Sequence, residues 1–98
     1  MKTRNEYMEI IRKCSYELRT HFGVTSLCLF GSVARNEQTT ESDVDICVDM
    51  KPNLLLHVEL KRFLEEQLGA SVDVIRNHKN LNPFLKHEIE KDGIFVFS

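Results

Sequence analysis

Two aspartates in the middle of this 98-residue sequence have the spacing of paired metal ligands. Asp43 and Asp45 lie in the stretch SDVDICVD, where apolar residues alternate with acidic ones. Residues two apart on a β-strand face the same side, so both carboxylates share one face while the intervening apolar residues face the other. Their Cα atoms would be about 6.6 Å apart, and oxygen ligands suit Mg²⁺ better than zinc. The strand therefore predicts a two-metal centre for phosphoryl transfer.

A glycine–serine pair precedes these aspartates and has the character of a phosphate-binding turn. Gly31 and Ser32 follow the β-prone segment Thr25 to Phe30. Glycine lets the backbone approach an anion closely, and a helix that starts at Ser32 directs its free N–H groups at that anion. Arg35, about one turn later, is placed to offset phosphate charge or to contact a partner.

A third carboxylate, Asp73, lies between two valines in an apolar stretch. A carboxylate in a buried strand needs a cation or hydrogen bonds, so we expect Asp73 beside Asp43 and Asp45. Each feature has an alternative explanation, since Gly-Ser is a common turn and D-x-D occurs in calcium loops. The glycine and glutamate that continue an EF-hand loop are missing, however, and the alternating valines favour a strand. Asp49 has the same parity but ends the strand, and we expect it to be solvated.

Composition narrows the classes of partner. Thirteen Lys and Arg against fifteen Asp and Glu give a net charge of −2, and Trp is absent, which argues against a nucleic-acid partner.

Three cysteines form no C-x-x-C pair, so reduced, buried thiols in a cytoplasmic protein are expected. No apolar run approaches the ~18 residues that span a bilayer, and no secretory signal is recognisable at residues 1–22.

The elements that must position these residues follow from apolar spacing and capping signals. We predict a first helix that ends at Gly23, a second from Asn53 to Gly69 and a last one from Asn82–Pro83 to Gly93. The stripe of the first helix consists of Tyr7, Ile11, Cys14, Leu18 and Phe22. Strands are expected over Thr25–Phe30, Val44–Val48, Ser71–Ile75 and Ile94–Phe97. This order predicts an α/β (α+β) fold, and the length fits a single domain over residues 1–98.

The combined pattern GSVAR followed by SDVD resembles the signature of the DNA polymerase β-like nucleotidyltransferase superfamily, and more narrowly of the minimal nucleotidyltransferases. The resemblance covers nearly the whole chain and implies a small mixed β-sheet flanked by helices. It also implies that Gly31 and Ser32 bind the nucleotide phosphates and that Asp43 and Asp45 hold two Mg²⁺ ions. Asp73 would be the third carboxylate, matched by strand context and order.

The same resemblance implies an activity and a partner. Members transfer AMP from ATP to a hydroxyl, and minimal members are typically paired with a HEPN ribonuclease toxin, which some of them neutralise by adenylylating a tyrosine. We therefore expect an adenylyltransferase antitoxin in a hetero-oligomer with a HEPN protein, docked through exposed sides of the first and last helices. Two alternatives stay open: an antitoxin that inhibits by binding alone, and a transferase that acts on RNA or a small molecule.

Overall fold

Four strands form one sheet with five helices around it in the computed structural model, which describes residues 1–98. The helices are α1 (Arg4–Lys13), α2 (Ser15–Thr20), α3 (Gly31–Ala34), α4 (Leu54–Leu68) and α5 (Pro83–Asp92). The strands are β1 (Ser26–Phe30), β2 (Val44–Asp49), β3 (Val72–Arg76) and β4 (Ile94–Phe97). These elements agree with the expected α+β fold.

The sheet is mixed, with the strand order β3-β2-β1-β4. The central strand β1 runs antiparallel to both β2 and β4, whereas β2 and β3 are parallel. A parallel pair needs a crossover connection, which α4 provides. The crossover brings the starts of β2 and β3 to the same end of the sheet, next to the end of β1.

Alternation along β2 separates the two faces of the sheet. Val44, Ile46 and Val48 are buried in a core of 20 side chains that also includes apolar residues of α1 and α4. Asp43 and Asp45 have the opposite parity and therefore lie on the other face. Burial of the apolar set fixes which face carries the carboxylates, because a shift of one residue would exchange the two faces.

The second face is covered only by α5. Leu85 and Ile89 of this helix pack on a small cluster formed by Cys28, Phe30 and Cys47. Both thiols are free and buried as expected, whereas the free thiol of Cys14 in the amino-terminal helical region is only partly buried. Burial is the main cause that raises the pKa of Cys47 to about 11. No residue of α5 is fully buried, so this face has a much thinner cover than the core face.

The amino-terminal helix differs from the prediction of one continuous helix. Cys14 has φ −91° and ψ 1°, and its N–H donates to the carbonyls of both Ile10 and Ile11. This residue ends α1 and is the single residue between α1 and α2. Ile11 and Leu18 are nevertheless both fully buried. The apolar stripe survives the break, and no glycine or proline marks it in the sequence.

Helix α4 begins and ends as its capping residues predict. The Asn53 side chain accepts a hydrogen bond from the N–H of Leu56 at 3.0 Å, and Gly69 ends the helix with φ 64°. The helix also protects the exposed edge of β3. Glu65 accepts from the N–H of Val72 at 3.1 Å, and His57 Nε2 donates to the carbonyl of Val74 at 3.0 Å. Two outward backbone groups of this edge are thereby occupied.

No helix of the structure combines the length and the apolar character that a membrane span requires.

Truncation of one core leucine in α4 should destabilise the fold strongly. Leu64 is fully buried, so Leu64→Ala is expected to lower the free energy of unfolding by about 3 kcal/mol through lost burial and a residual cavity. Leu55→Ala in the same helix is the matched control, because Leu55 is 71% exposed and its loss should cost less than about 0.5 kcal/mol. Urea denaturation followed by circular dichroism measures both, and equal losses would contradict the assigned core face.

Candidate active site

The strand register brings the three predicted aspartates to one corner of the sheet. Asp45 of β2 is paired with Asp73 of β3, and Phe30 at the end of β1 is paired with Asp45 from the other side. Neighbouring strands lie about 4.8 Å apart, and residues two apart on one strand about 6.6 Å. Asp43 continues the same face before β2, so the three carboxylates occupy adjacent positions around Asp45.

This crowding of negative charge affects the pKa of Asp45. Its pKa is raised from 3.8 to about 6, first by burial and then by the charges of Asp73 and Asp43, while Arg35 acts in the opposite direction. Asp45 is half-buried, whereas Asp43 and Asp73 are exposed. The carboxylate of Asp45 therefore has too little positive charge around it, and a bound cation would lower its pKa again.

Gly31 is packed directly against this carboxylate. Its φ is 74°, a left-handed conformation that favours glycine, and a Cβ atom added there would collide with Oδ2 of Asp45. The glycine is needed at this position both for its backbone angle and for the space that Asp45 occupies. It begins α3, where Ser32 is partly exposed and its hydroxyl makes no hydrogen bond within the protein.

Arg35 lies close to the site but contacts helix α5. Its Nη1 is 2.7 Å from Oδ2 of Asp92 and 3.8 Å from Glu88, and its Nε is 3.5 Å from Glu37. The hydrogen bond with Asp92 is the main cause that raises the pKa of Arg35 and lowers that of Asp92. In the structure Arg35 joins α3 to α5; a contact with phosphate stays a prediction. The acidic partners lie more than 50 residues away in the sequence, apart from Glu37, and no motif indicates them.

The ligand chemistry of the site fits a hard divalent cation. Its donors are carboxylate oxygens only, and the crowding at Asp45 gives them a reason to bind positive charge. No group of three His, Cys, Asp or Glu side chains is arranged to hold a metal ion. Binding therefore requires the exposed side chains of Asp43 and Asp73 to turn toward Asp45.

Asp49 was expected to be solvated and is instead partly buried and hydrogen-bonded. Ser26 donates to its Oδ2 at 2.6 Å, and the side-chain amide of Asn77 donates to its Oδ1 at 3.1 Å. These bonds join the start of β1, the end of β2 and the segment after β3. Asp49 lies at the opposite end of β2 from the three site aspartates and has a structural role.

The chain matches the model of the nucleotidyltransferase domain over residues 11–96. A relative from Methanocaldococcus jannaschii, named as a candidate protein adenylyltransferase, is 44% identical over 98 residues, which cover 98% of this chain and all of the relative.

Two solved structures share the fold. One, described as a candidate minimal nucleotidyltransferase, has a TM-score of 0.75 and 32% identity and covers 95% of both chains. The other is a complex of a tri-AMPylated HEPN toxin from Shewanella oneidensis with an MNT antitoxin. It has a TM-score of 0.66 and 18% identity and covers 93% of this chain and 72% of that chain. At this identity the second likeness shows the fold alone.

Two glycines with the same backbone angle allow the contact at Gly31 to be tested. Gly31→Ala and Gly23→Ala should each lose roughly 1–2 kcal/mol of stability from the left-handed conformation, since φ is 74° and 69°. Gly23 has nothing within 4 Å of an added Cβ, whereas Gly31 has Asp45. Only Gly31→Ala should therefore also weaken binding of Mg²⁺–ATP, the ligand that the resemblance implies, by about 10-fold or more. Calorimetric titration at a temperature where both variants are folded checks this, and equal binding by the two variants would refute it.

The raised pKa of Asp45 predicts a defined pH dependence of stability in the absence of divalent cations. Between about pH 4 and pH 6 the folded state keeps a proton that the unfolded state has released, so stability falls as pH rises through this window. Asp45→Asn lacks this dependence. Over this window its free energy of unfolding should therefore rise relative to that of the wild type by about 1 kcal/mol, a value reduced for solvent screening of a half-exposed group. Urea denaturation in chelator from pH 4 to pH 7 measures the difference. Parallel curves for the two proteins would rule out the charge crowding.

Proposed function

Since this chain belongs to the minimal nucleotidyltransferases of the nucleotidyltransferase domain family, we propose that it transfers AMP from ATP to a hydroxyl group of a partner protein. The observation that carries the proposal is the convergence of Asp43, Asp45 and Asp73 beside Gly31 on one face of the sheet. The proposed catalytic unit spans residues 1–98.

Each residue of the site has a separate task in this proposal. Asp43 and Asp45 hold two Mg²⁺ ions with Asp73 as a third ligand, and Gly31 and Ser32 bind the phosphates of ATP. When bound, Mg²⁺ stabilises charge on the attacking and leaving oxygens. The free hydroxyl of Ser32 donates to a phosphate oxygen, and the glycine lets the backbone approach it.

The proposed reaction forms one bond and breaks one. The acceptor oxygen bonds to the α-phosphorus as the bond from that phosphorus to the bridging oxygen of pyrophosphate breaks. The acceptor hydroxyl proton is taken up by Asp73, which is exposed and adjacent to Asp45 and can therefore act as general base. Arg35 offsets part of the negative charge near Asp45.

We propose a HEPN-domain toxin as the acceptor, with this chain as its antitoxin. Support comes from the relative named as an adenylyltransferase and from the shared fold with an antitoxin solved in complex with an AMPylated HEPN toxin. The toxin and the antitoxin would meet in the cytoplasm, where Mg²⁺ and ATP are both available.

Removal of one metal-binding charge should separate catalysis from binding. With labelled ATP, Mg²⁺ and a HEPN-domain protein as the candidate acceptor, Asp43→Asn should transfer label at least about 10³-fold more slowly, because loss of a metal ligand costs several kcal/mol of transition-state stabilisation. Binding to the HEPN protein should weaken far less than the transfer rate does, because the other residues of an interface keep most of its binding energy. Glu59→Gln, an exposed neutralisation on α4, is the control and should react as the wild type does.

Three results would contradict the proposal. If Asp43→Asn neutralises the toxin fully without transferring label, the chain is an antitoxin that acts by binding. If label appears only on RNA or on a metabolite, the acceptor class is wrong. If chelation of Mg²⁺ leaves the transfer unchanged, the metal assignment is wrong.

A further inference from the structure

A cleft of about 400 Å³ opens beside Asp43, where β2 and β3 begin. It is lined by residues 39–43 before β2, residues 69–71 before β3, and Tyr7 and Met1 at the amino-terminal end. None of the other four main cavities includes Asp43, Asp45 or Asp73. Of these five cavities, this cleft is therefore the one that shares a residue, Asp43, with the acidic site.

The position of the cleft distinguishes it from the phosphate-binding turn. Gly31 and Ser32 follow β1, on one side of β2, and neither of them lines the cleft. Asp43 and Ser71, which precede β2 and β3, both line the cleft. Ser71 has the same parity along the chain as Asp73 of β3. In-line phosphoryl transfer places the acceptor opposite the leaving group. With the triphosphate on the β1 side, the acceptor must therefore enter from the β3 side.

Hydrogen bonds fix the walls of the cleft. The N–H of Thr39 donates to the hydroxyl of Ser42 at 3.0 Å, and the N–H of Glu41 donates to the hydroxyl of Thr39 at 3.3 Å. The N–H of Val44 donates to the carbonyl of Ser71 at 2.9 Å, which joins the two walls. A wall that is already ordered costs less conformational entropy when a ligand binds.

The lining is acidic and offers free hydroxyl groups. It contains two carboxylates, Glu41 and Asp43, and no Lys or Arg, although Lys2 lies nearby beside Gly69. Glu41 is exposed, and its carboxylate makes no hydrogen bond or ion pair. The hydroxyls of Thr40 and Ser71 also have no partner within the protein. The cleft can therefore receive a polar backbone and a positive charge.

We infer that this cleft binds the acceptor segment of the protein substrate, with a hydroxyl-bearing residue directed at Asp43, where the cleft meets the acidic site, and a Lys or Arg beside it that pairs with Glu41. This inference rests on the proposed adenylyl transfer to a protein. An RNA acceptor is disfavoured, because its phosphates would face the two carboxylates.

Charge reversal at Glu41 tests the inference. In the labelling assay with the HEPN protein, Glu41→Lys should raise KM for that protein by about 5-fold to 10-fold with kcat nearly unchanged, since a charge at an interface mainly affects association. The dissociation constant for Mg²⁺–ATP should change less than KM for the HEPN protein does, because Glu41 is exposed and lies outside the phosphate-binding turn. Glu59→Lys, the same reversal on an exposed glutamate of α4 outside the cleft, should behave as the wild type does.

Salt dependence adds a readout that a merely structural role of Glu41 would not change. KM of the wild type should rise with ionic strength, and the rise should be smaller in Glu41→Lys. If the wild type labels the HEPN protein and Glu41→Lys has the KM and salt dependence of Glu59→Lys, the cleft assignment is overturned while adenylyl transfer stands. If the wild type labels no protein, or if it labels RNA and Glu41→Lys labels RNA more strongly, both the proposed function and the cleft assignment fail.

Discussion

Repulsion among three carboxylates around Asp45 is the constraint on which the rest of the site depends. The register of β2 and β3 places Asp45 beside Asp73, and partial burial removes much of the water that would screen them. This arrangement destabilises the folded state in the absence of cations and stabilises it when a cation binds. The fold must hold these positions by other means, and it does so through the apolar residues that alternate with the aspartates along β2.

The two faces of the sheet therefore have different physical roles. The face toward α1 and α4 supplies most of the apolar burial, since nearly all fully buried side chains belong to that core. The opposite face carries the acidic corner and has α5 as its only helical cover, held by Leu85, Ile89 and the pair between Arg35 and Asp92. An ion pair that is still partly open to solvent contributes little stability. The acidic face is thus held in place mainly by the apolar core on the opposite side of the sheet, which leaves its polar groups free for ligands.

The sequence predicted what local periodicity determines and missed what depends on distant residues. Alternation around Asp43 and Asp45, the caps at Asn53 and Gly69 and all four strands are local signals, and the structure contains each of them. The break at Cys14 has no such signal. The partners of Asp49, Ser26 and Asn77, are brought together only by strand pairing, so an aspartate at a strand end was expected to be solvated. The lining of the cleft beside Asp43 likewise joins three separate segments of the chain.

Arg35 shows how a side chain next to the motif is positioned by a residue far away in the sequence. Its place one turn after Gly31 predicts that it offsets phosphate charge or contacts a partner, and in the structure its guanidinium is held by Asp92. From there it still lowers the pKa of Asp45, so its charge reaches the site without contact. A cation fixed by a carboxylate outside the site does not need to reorganise when charge develops in the reaction, which is the condition under which electrostatic stabilisation is most effective. Helix α5, by holding Arg35, thus contributes to the field at Asp45 although none of its residues lies among the three aspartates.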